Sequence, residues 1–237
     1  RTKKITRVIF SILGFVLVLQ VGLMLISAFQ RLSLYEAAYG FTTQRTTTHI
    51  FMIWLAVLLA AAVLMEFFNR FRRLALVLFL VFFGFTITIN LINMDRFIAA
   101  RNIEHAIAGN PLDVEYLVWQ LSDDGTPALF EYWQNPNTPH AIKDALYATL
   151  ACKYSKRGEN EYYNRDTWIE WHAADARAVR LYEQHKDALQ AYPFVIDFSD
   201  EFFPGPREEQ IMTNIKNYSI IVDDQKIWCK ADYPQAP

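Results

Sequence analysis

The fold is decided by the stretch Ile50-Phe-Met-Ile-Trp-Leu-Ala-Val-Leu-Leu-Ala-Ala-Ala-Val-Leu-Met65, which contains no charged residue. A helix of this length in a soluble protein would carry a polar stripe, and this stretch carries none. A strand is excluded by the length, and its backbone groups would also stay unpaired in hydrocarbon. The stretch therefore predicts a helix that crosses a membrane.

Two further apolar segments flank this stretch, so three spans are predicted within residues 1–94. They cover residues 8–30, 50–68 and 74–92, and a helix needs about 20 residues to cross the hydrocarbon layer. The first segment is longer than the apolar part of a signal peptide and has no clear small-residue cleavage site, so it is predicted to be retained. Because the chain begins at Arg1 without a methionine, we expect it to be a fragment of a longer protein.

Basic residues flank these spans unequally. Four lie in residues 1–7 and three in residues 70–73, whereas the longer link 31–49 contains only two. The positive-inside rule then predicts a cytoplasmic N-terminus, an external 31–49 loop and an extracytoplasmic tail.

The composition divides the chain into two unlike parts. Residues 1–94 are apolar and rich in phenylalanine, whereas residues 95–237 hold most of the acidic residues, tryptophans and tyrosines. The net charge of −2 gives no reason to expect nucleic acid as a partner. The predicted fold is membrane all-α, with three transmembrane helices followed by a mostly α-helical soluble domain over 95–237 and a small β element near the C-terminus.

Helical periodicity and turn signals predict the elements outside the spans. Short strands on both sides of Asp223-Asp224 form the β element. The predicted helices cover residues 32–39, 93–109, 113–121, 127–133, 141–154 and 167–191.

The two cysteines, Cys152 and Cys229, both lie in the tail. An extracytoplasmic location permits a disulfide between them, which would fix the C-terminal segment. The alternative is a pair of buried thiols. Spacing along the chain does not decide between these alternatives.

Ten polar residues are predicted to converge at the outer membrane surface, given this topology. One interpretation is a binding site for a lipid headgroup, a glycan or a partner subunit. The other, which we favour, is a set of interfacial anchors and helix caps. The residues are Tyr35, Glu36, Tyr39, Arg45, His49, Asn93, Asp95, Arg96, Arg101 and Asn102.

Other patterns favour structural roles over chemistry. The histidines lack a metal-ligand spacing, and no nucleophile motif or glycine-rich phosphate loop occurs, so no catalytic residue, metal or cofactor is predicted. The carboxylate pairs at 123–124 and 223–224 lie beside turn signals, where aspartate is favoured. Glu66 is predicted to lie at the cytoplasmic interface, and Trp168 and Trp171 to anchor a helix in the core.

Several stretches resemble a bacterial family of polytopic membrane proteins, catalogued as domain of unknown function 4173. The resemblance covers roughly residues 25–185, and its members are longer, with more spans upstream. It implies the membrane architecture, placed in a bacterial inner membrane, and no chemistry, because no activity is known for that family. The stretches are Leu34–Thr42, Thr48–Leu55, Asn93–Ile103, Asp113–Leu117, Leu121–Leu129, Trp168–Trp171 and Asp175–Ala178.

These patterns predict a non-catalytic structural or accessory subunit of a larger membrane assembly. Its partners would be the lipid bilayer and other membrane protein subunits, contacted through the spans and the tail. One alternative is an envelope enzyme or transporter whose core lies in spans upstream and whose outer-face residues bind a lipid or a glycan. A third is a sensor whose external domain reads a ligand.

Overall fold

Three long apolar helices begin the chain, and a helical region with a small sheet follows them. The computed structural model describes residues 2–68, 71–157, 173–202 and 212–232. The chain divides into two compact units, residues 1–98 and 99–237. The predicted fold class is confirmed by these elements.

The apolar helices are α1 (Thr2–Tyr39), α2 (Thr43–Phe67) and α3 (Leu74–Leu91), with a short 3-10 turn at Phe71–Arg73. All three are long and apolar enough to cross a membrane. Most of their large apolar side chains are exposed in the isolated chain, as expected for surfaces that contact lipid or other helices. The chain is therefore a membrane protein.

The predicted loop 31–49 is mostly helical, because α1 and α2 extend beyond the apolar segments predicted as the first two spans. Helix α1 continues to Tyr39 and α2 begins at Thr43, so the segment predicted as a separate short helix is the last part of α1. No glycine or proline occurs between Arg31 and Tyr39, and the helix ends at Gly40, whose positive φ of 76° suits glycine. The Thr42 hydroxyl then accepts a hydrogen bond from the backbone N–H of Arg45 and caps α2.

Helices α2 and α3 pack closely around one glycine. Gly84 has no side chain, and the indole ring of Trp54 occupies the space that a Cβ atom there would need. The indole N–H donates to the Thr88 hydroxyl at 3.2 Å, and that hydroxyl donates to the Gly84 carbonyl at 2.8 Å. A rigid aromatic ring therefore fixes the distance between these helices.

The second unit is mostly helical. Its helices are α4 (Met94–Ile107, which begins in the first unit), α5 (Val114–Trp119), α6 (Thr126–Gln134), α7 (His140–Arg157), α8 (Ala173–Gln184) and α9 (Lys186–Gln190). The helix predicted over 167–191 is interrupted at His185, which separates α8 from α9. Its first part, with Trp168 and Trp171, lies outside the described residues.

A three-stranded antiparallel sheet follows, with strand order β1 (Val195–Phe202), β2 (Met212–Val222) and β3 (Gln225–Asp232). The two strands predicted around Asp223 and Asp224 are β2 and β3. Both aspartates have positive φ values, 49° and 61°, as a tight hairpin turn requires. Strand β1 was not predicted, because its short apolar start gives no sign of a partner strand.

The sheet packs against α5 and α7 through one buried cluster. A disulfide joins Cys152 on α7 to Cys229 on β3, with a Cα–Cα distance of 5.1 Å across 77 residues of sequence. Both cysteines are buried in this cluster. Its other members are Val114, Val118, Ala145, Ala148, Ile220 and Ile227.

Candidate functional site

The ten predicted outer-face residues are divided between the two compact units. Eight lie in residues 1–98, and Arg101 and Asn102 lie in the second unit. Their convergence into one group therefore stays a prediction. Within the first unit, the turn between α1 and α2 brings some of them together.

A carboxylate and an imidazole face each other across the ends of α1 and α2. His49 Nδ1 lies 3.0 Å from Glu36 Oε2, and both side chains are largely shielded from solvent. His49 Nε2 lies 3.5 Å from the Ser33 hydroxyl oxygen, and its ring packs on Phe29 with 4.6 Å between centroids. Each ring nitrogen of His49 thus faces an oxygen that can accept a hydrogen bond.

Two buried oxygens on α1 and α2 have no hydrogen-bond partner among the described residues. They are Glu36 Oε1 and Thr46 Oγ1, on residues that are only 6 % and 7 % exposed. Thr46 lies three residues before His49, and residues with this spacing share one face of a helix. Buried polar atoms are almost always hydrogen-bonded, so this site can accept a donor from water or from a bound group.

The sequence did not single out Thr46. No motif includes it, and the N-cap of α2 is Thr42 rather than Thr46. The only available signal was the spacing of three residues between Thr46 and His49. The structure gives that spacing a meaning, because Glu36 contacts His49 on α2 and Thr46 shares a helix face with His49.

Other outer-face residues are used at helix ends. The Arg45 guanidinium donates to the Gly40 carbonyl at 2.8 Å and closes the α1–α2 turn. Asn93 Oδ1 accepts from the backbone N–H of Arg96 at 3.0 Å in the first turn of α4. The Asp95 carboxylate accepts from the Thr43 hydroxyl at 3.4 Å, which joins the starts of α4 and α2.

Tyr35 and Tyr39 stack on each other with centroids 6.1 Å apart. Their rings are 54 % and 68 % exposed. Tyrosines exposed at the end of a membrane helix suit the headgroup layer, where an apolar ring and a polar hydroxyl are both solvated.

In the second unit, Arg101 pairs with Glu104 at 3.1 Å on an exposed surface, while Asn102 is buried. The Tyr132 hydroxyl donates to the other oxygen of Glu104 at 3.1 Å. Burial is the main cause that raises the pKa of Tyr132, and the hydrogen bond to Glu104 and its charge add to it. This group is a surface network without a nucleophile.

The chemistry of the first unit is that of a hydrogen-bonding site. In the described ranges, no three histidine, cysteine, aspartate or glutamate side chains are grouped so that they could hold a metal ion. Helix α1 offers one buried carboxylate oxygen beside the His49 imidazole, and α2 offers one buried hydroxyl on Thr46. A ligand that brings a donor fits this arrangement.

Comparison with known proteins gives one match. A family model described as a domain of unknown function (DUF4153) matches residues 1–132. The predicted resemblance to domain of unknown function 4173 is therefore wrong, and the match begins at the first residue rather than near residue 25. No curated protein matches the chain, and no solved structure does.

Proposed function

The chain belongs to the DUF4153 family, and we propose that it is a non-catalytic structural subunit of a larger assembly in the bacterial inner membrane. The observation that carries this proposal is that several of the predicted outer-face residues form hydrogen bonds to other residues of this chain. Arg45, Asn93 and Asp95 hold helix ends, and Glu36 faces His49 in a buried pair. Groups that hold helix ends favour anchoring over turnover.

Helix α3 supports the assembly part of the proposal. None of its residues is buried within the chain, yet it carries Thr86 and Asn90 on exposed positions. The Thr86 hydroxyl donates to the Phe82 carbonyl, and Asn90 donates to the Thr86 carbonyl. Polar side chains on a membrane helix are favoured where another helix packs, so this face suits a partner subunit.

Two features support an orientation with the N-terminus in the cytoplasm and residues 95–237 outside it. Arg72 and Arg73 are exposed beside the α2–α3 link, as the positive-inside rule expects of a cytoplasmic link. The Cys152–Cys229 disulfide would persist in an oxidising compartment and be reduced in the bacterial cytoplasm.

The assembly proposal is tested by the size of the native complex. The full chain is solubilised in mild detergent and separated by native electrophoresis, as wild type, as Thr86→Val/Asn90→Leu, and as the control Ile87→Leu. We expect a complex larger than the single chain, reduced in size by the double variant and unchanged by the control. A wild-type species no larger than one chain contradicts the proposal.

A second candidate function is binding of a lipid headgroup or a glycan at the outer face. It is favoured by the unpartnered oxygens of Glu36 and Thr46. The variant Thr46→Val removes one acceptor and keeps the shape, so it should release a bound headgroup or glycan while the complex stays intact. Mass spectrometry of the purified chain and its variant distinguishes this candidate from the first.

A further inference from the structure

A groove runs between α1 and α2 in the half of the bundle away from the Glu36–His49 pair. It consists of two cavities of about 560 and 280 Å³, and both are lined by Phe15, Val18 and Val63. Gly14 and Gly22 lie along it, and a Cβ atom at either position would meet no atom within 4 Å. The groove is thus open space with an apolar wall.

The length of the groove suits an acyl chain. Its lining on α1 extends from Ser11 to Ile26, which is about 22 Å of helix at 1.5 Å per residue. One leaflet of hydrocarbon is about 15 Å deep, half of the usual thickness. A lipid tail would therefore have a protein wall along its whole length.

One end of the groove is polar. Glu66 lines the larger cavity, and the Ser11 hydroxyl donates a hydrogen bond to its carboxylate. A carboxylate oxygen has room for further donors. Arg72 and Arg73 follow within seven residues and are exposed at the same end of α2. Glu66 therefore places a negative group at one mouth of the apolar groove, and two exposed arginines follow it closely in sequence.

We propose that this groove binds one phospholipid with a primary-amine headgroup, of the phosphatidylethanolamine class. The tail fills the apolar cavities, the ammonium group binds Glu66, and the phosphate lies near Arg72 and Arg73. Carboxylates pair with ammonium groups and guanidinium groups with phosphate, so this zwitterion complements both charges. An apolar partner helix would bury the Glu66 carboxylate without a cation, which is costly in a membrane.

The test is a lipid titration of the full chain in detergent, followed by native mass spectrometry. Phosphatidylethanolamine and phosphatidylglycerol with identical tails serve as the two probes. The variants are Glu66→Gln, which removes the charge and keeps the shape, and Gly22→Leu, which fills the groove. The matched controls are Glu183→Gln on α8 and Leu17→Met on an exposed position of α1.

We expect one tightly bound phosphatidylethanolamine, preferred over phosphatidylglycerol. Glu66→Gln should weaken its binding about tenfold or more, the usual worth of a hydrogen bond to a charged group, and remove the preference. Gly22→Leu should weaken both lipids, because the leucine takes the place of the tail. Equal binding of both lipids by the wild type overturns the proposal, as does unchanged binding by both variants. Crosslinking of Gly14→Cys to a second protein would also overturn it, by identifying a different occupant.

Discussion

Removal of the Cys152–Cys229 disulfide should loosen the C-terminal hairpin from helix α7. The bond spans 77 residues of sequence, and loop-closure entropy for a loop of that length predicts a contribution of about 4.5 kcal/mol. The buried cluster around the sulfur atoms also includes Ile220 and Ile227 from the hairpin. This packing remains when both cysteines become alanine, so the hairpin should open more often without losing its fold.

Hydrogen–deuterium exchange of the full chain in detergent measures this opening. If the whole disulfide contribution of about 4.5 kcal/mol is lost from the hairpin, its amide hydrogens exchange about 10³-fold faster than in the wild type, because each 1.4 kcal/mol is a factor of ten. The increase should be confined to peptides covering residues 217–229 and the facing part of α7, while peptides from α1 stay unchanged.

The single variants Cys152→Ala and Cys229→Ala provide the matched comparison. Each removes the same bond, so each should accelerate exchange about as much as the double variant does. Wild-type exchange in the double variant would refute the reasoning. Single effects that add up to the double effect would also refute it, because they would reflect lost packing rather than a lost crosslink.

Three further predictions concern single groups. Gly84→Ala should lower the thermal stability of the detergent-solubilised chain by about 1–3 kcal/mol, because its Cβ overlaps an indole ring. Gly22→Ala should not lower the stability, because its Cβ meets no atom within 4 Å. Equal losses of stability in the two variants would contradict the packing of Trp54 against Gly84. Glu36→Ala and His49→Ala should each cost about 1–3 kcal/mol in thermal unfolding, because either change leaves a shielded polar group without its partner. The double variant should cost little more, and additive losses would rule out the pair. Burial is the main cause that lowers the pKa of Lys156, partly offset by Asp123. At pH values just below 10.5, the ordinary pKa of lysine, the unfolded chain then binds more protons than the folded chain. The free energy of unfolding measured in urea should therefore rise with pH in this range. Lys156→Met should flatten this rise.

Hydropathy was sufficient to predict the three spans, because a helix that crosses hydrocarbon needs apolar side chains along its whole length. The ends of these helices were less predictable. Residues 31–39 are polar enough to suggest a short helix separate from the first span, yet they contain no residue that stops a helix before Gly40. Helix propensity then carries α1 beyond its apolar segment.

The candidate site was predictable as a list of residues and not as an arrangement. Glu36 and His49 are thirteen positions apart in sequence, and only the short turn at Gly40–Thr42 makes them neighbours. Thr46 gained interest only from its burial. Strand β1 was likewise unpredictable. It forms by pairing with β2, and the sequence of β1 alone does not reveal that partner strand.

The central claim, a structural subunit of a larger membrane assembly, is tested most directly by purification of the native protein in mild detergent with mass spectrometry of everything that accompanies it. We expect one or more membrane proteins to co-purify with this chain in fixed stoichiometry. A chain that elutes alone, whether or not lipid remains bound to it, would contradict the claim.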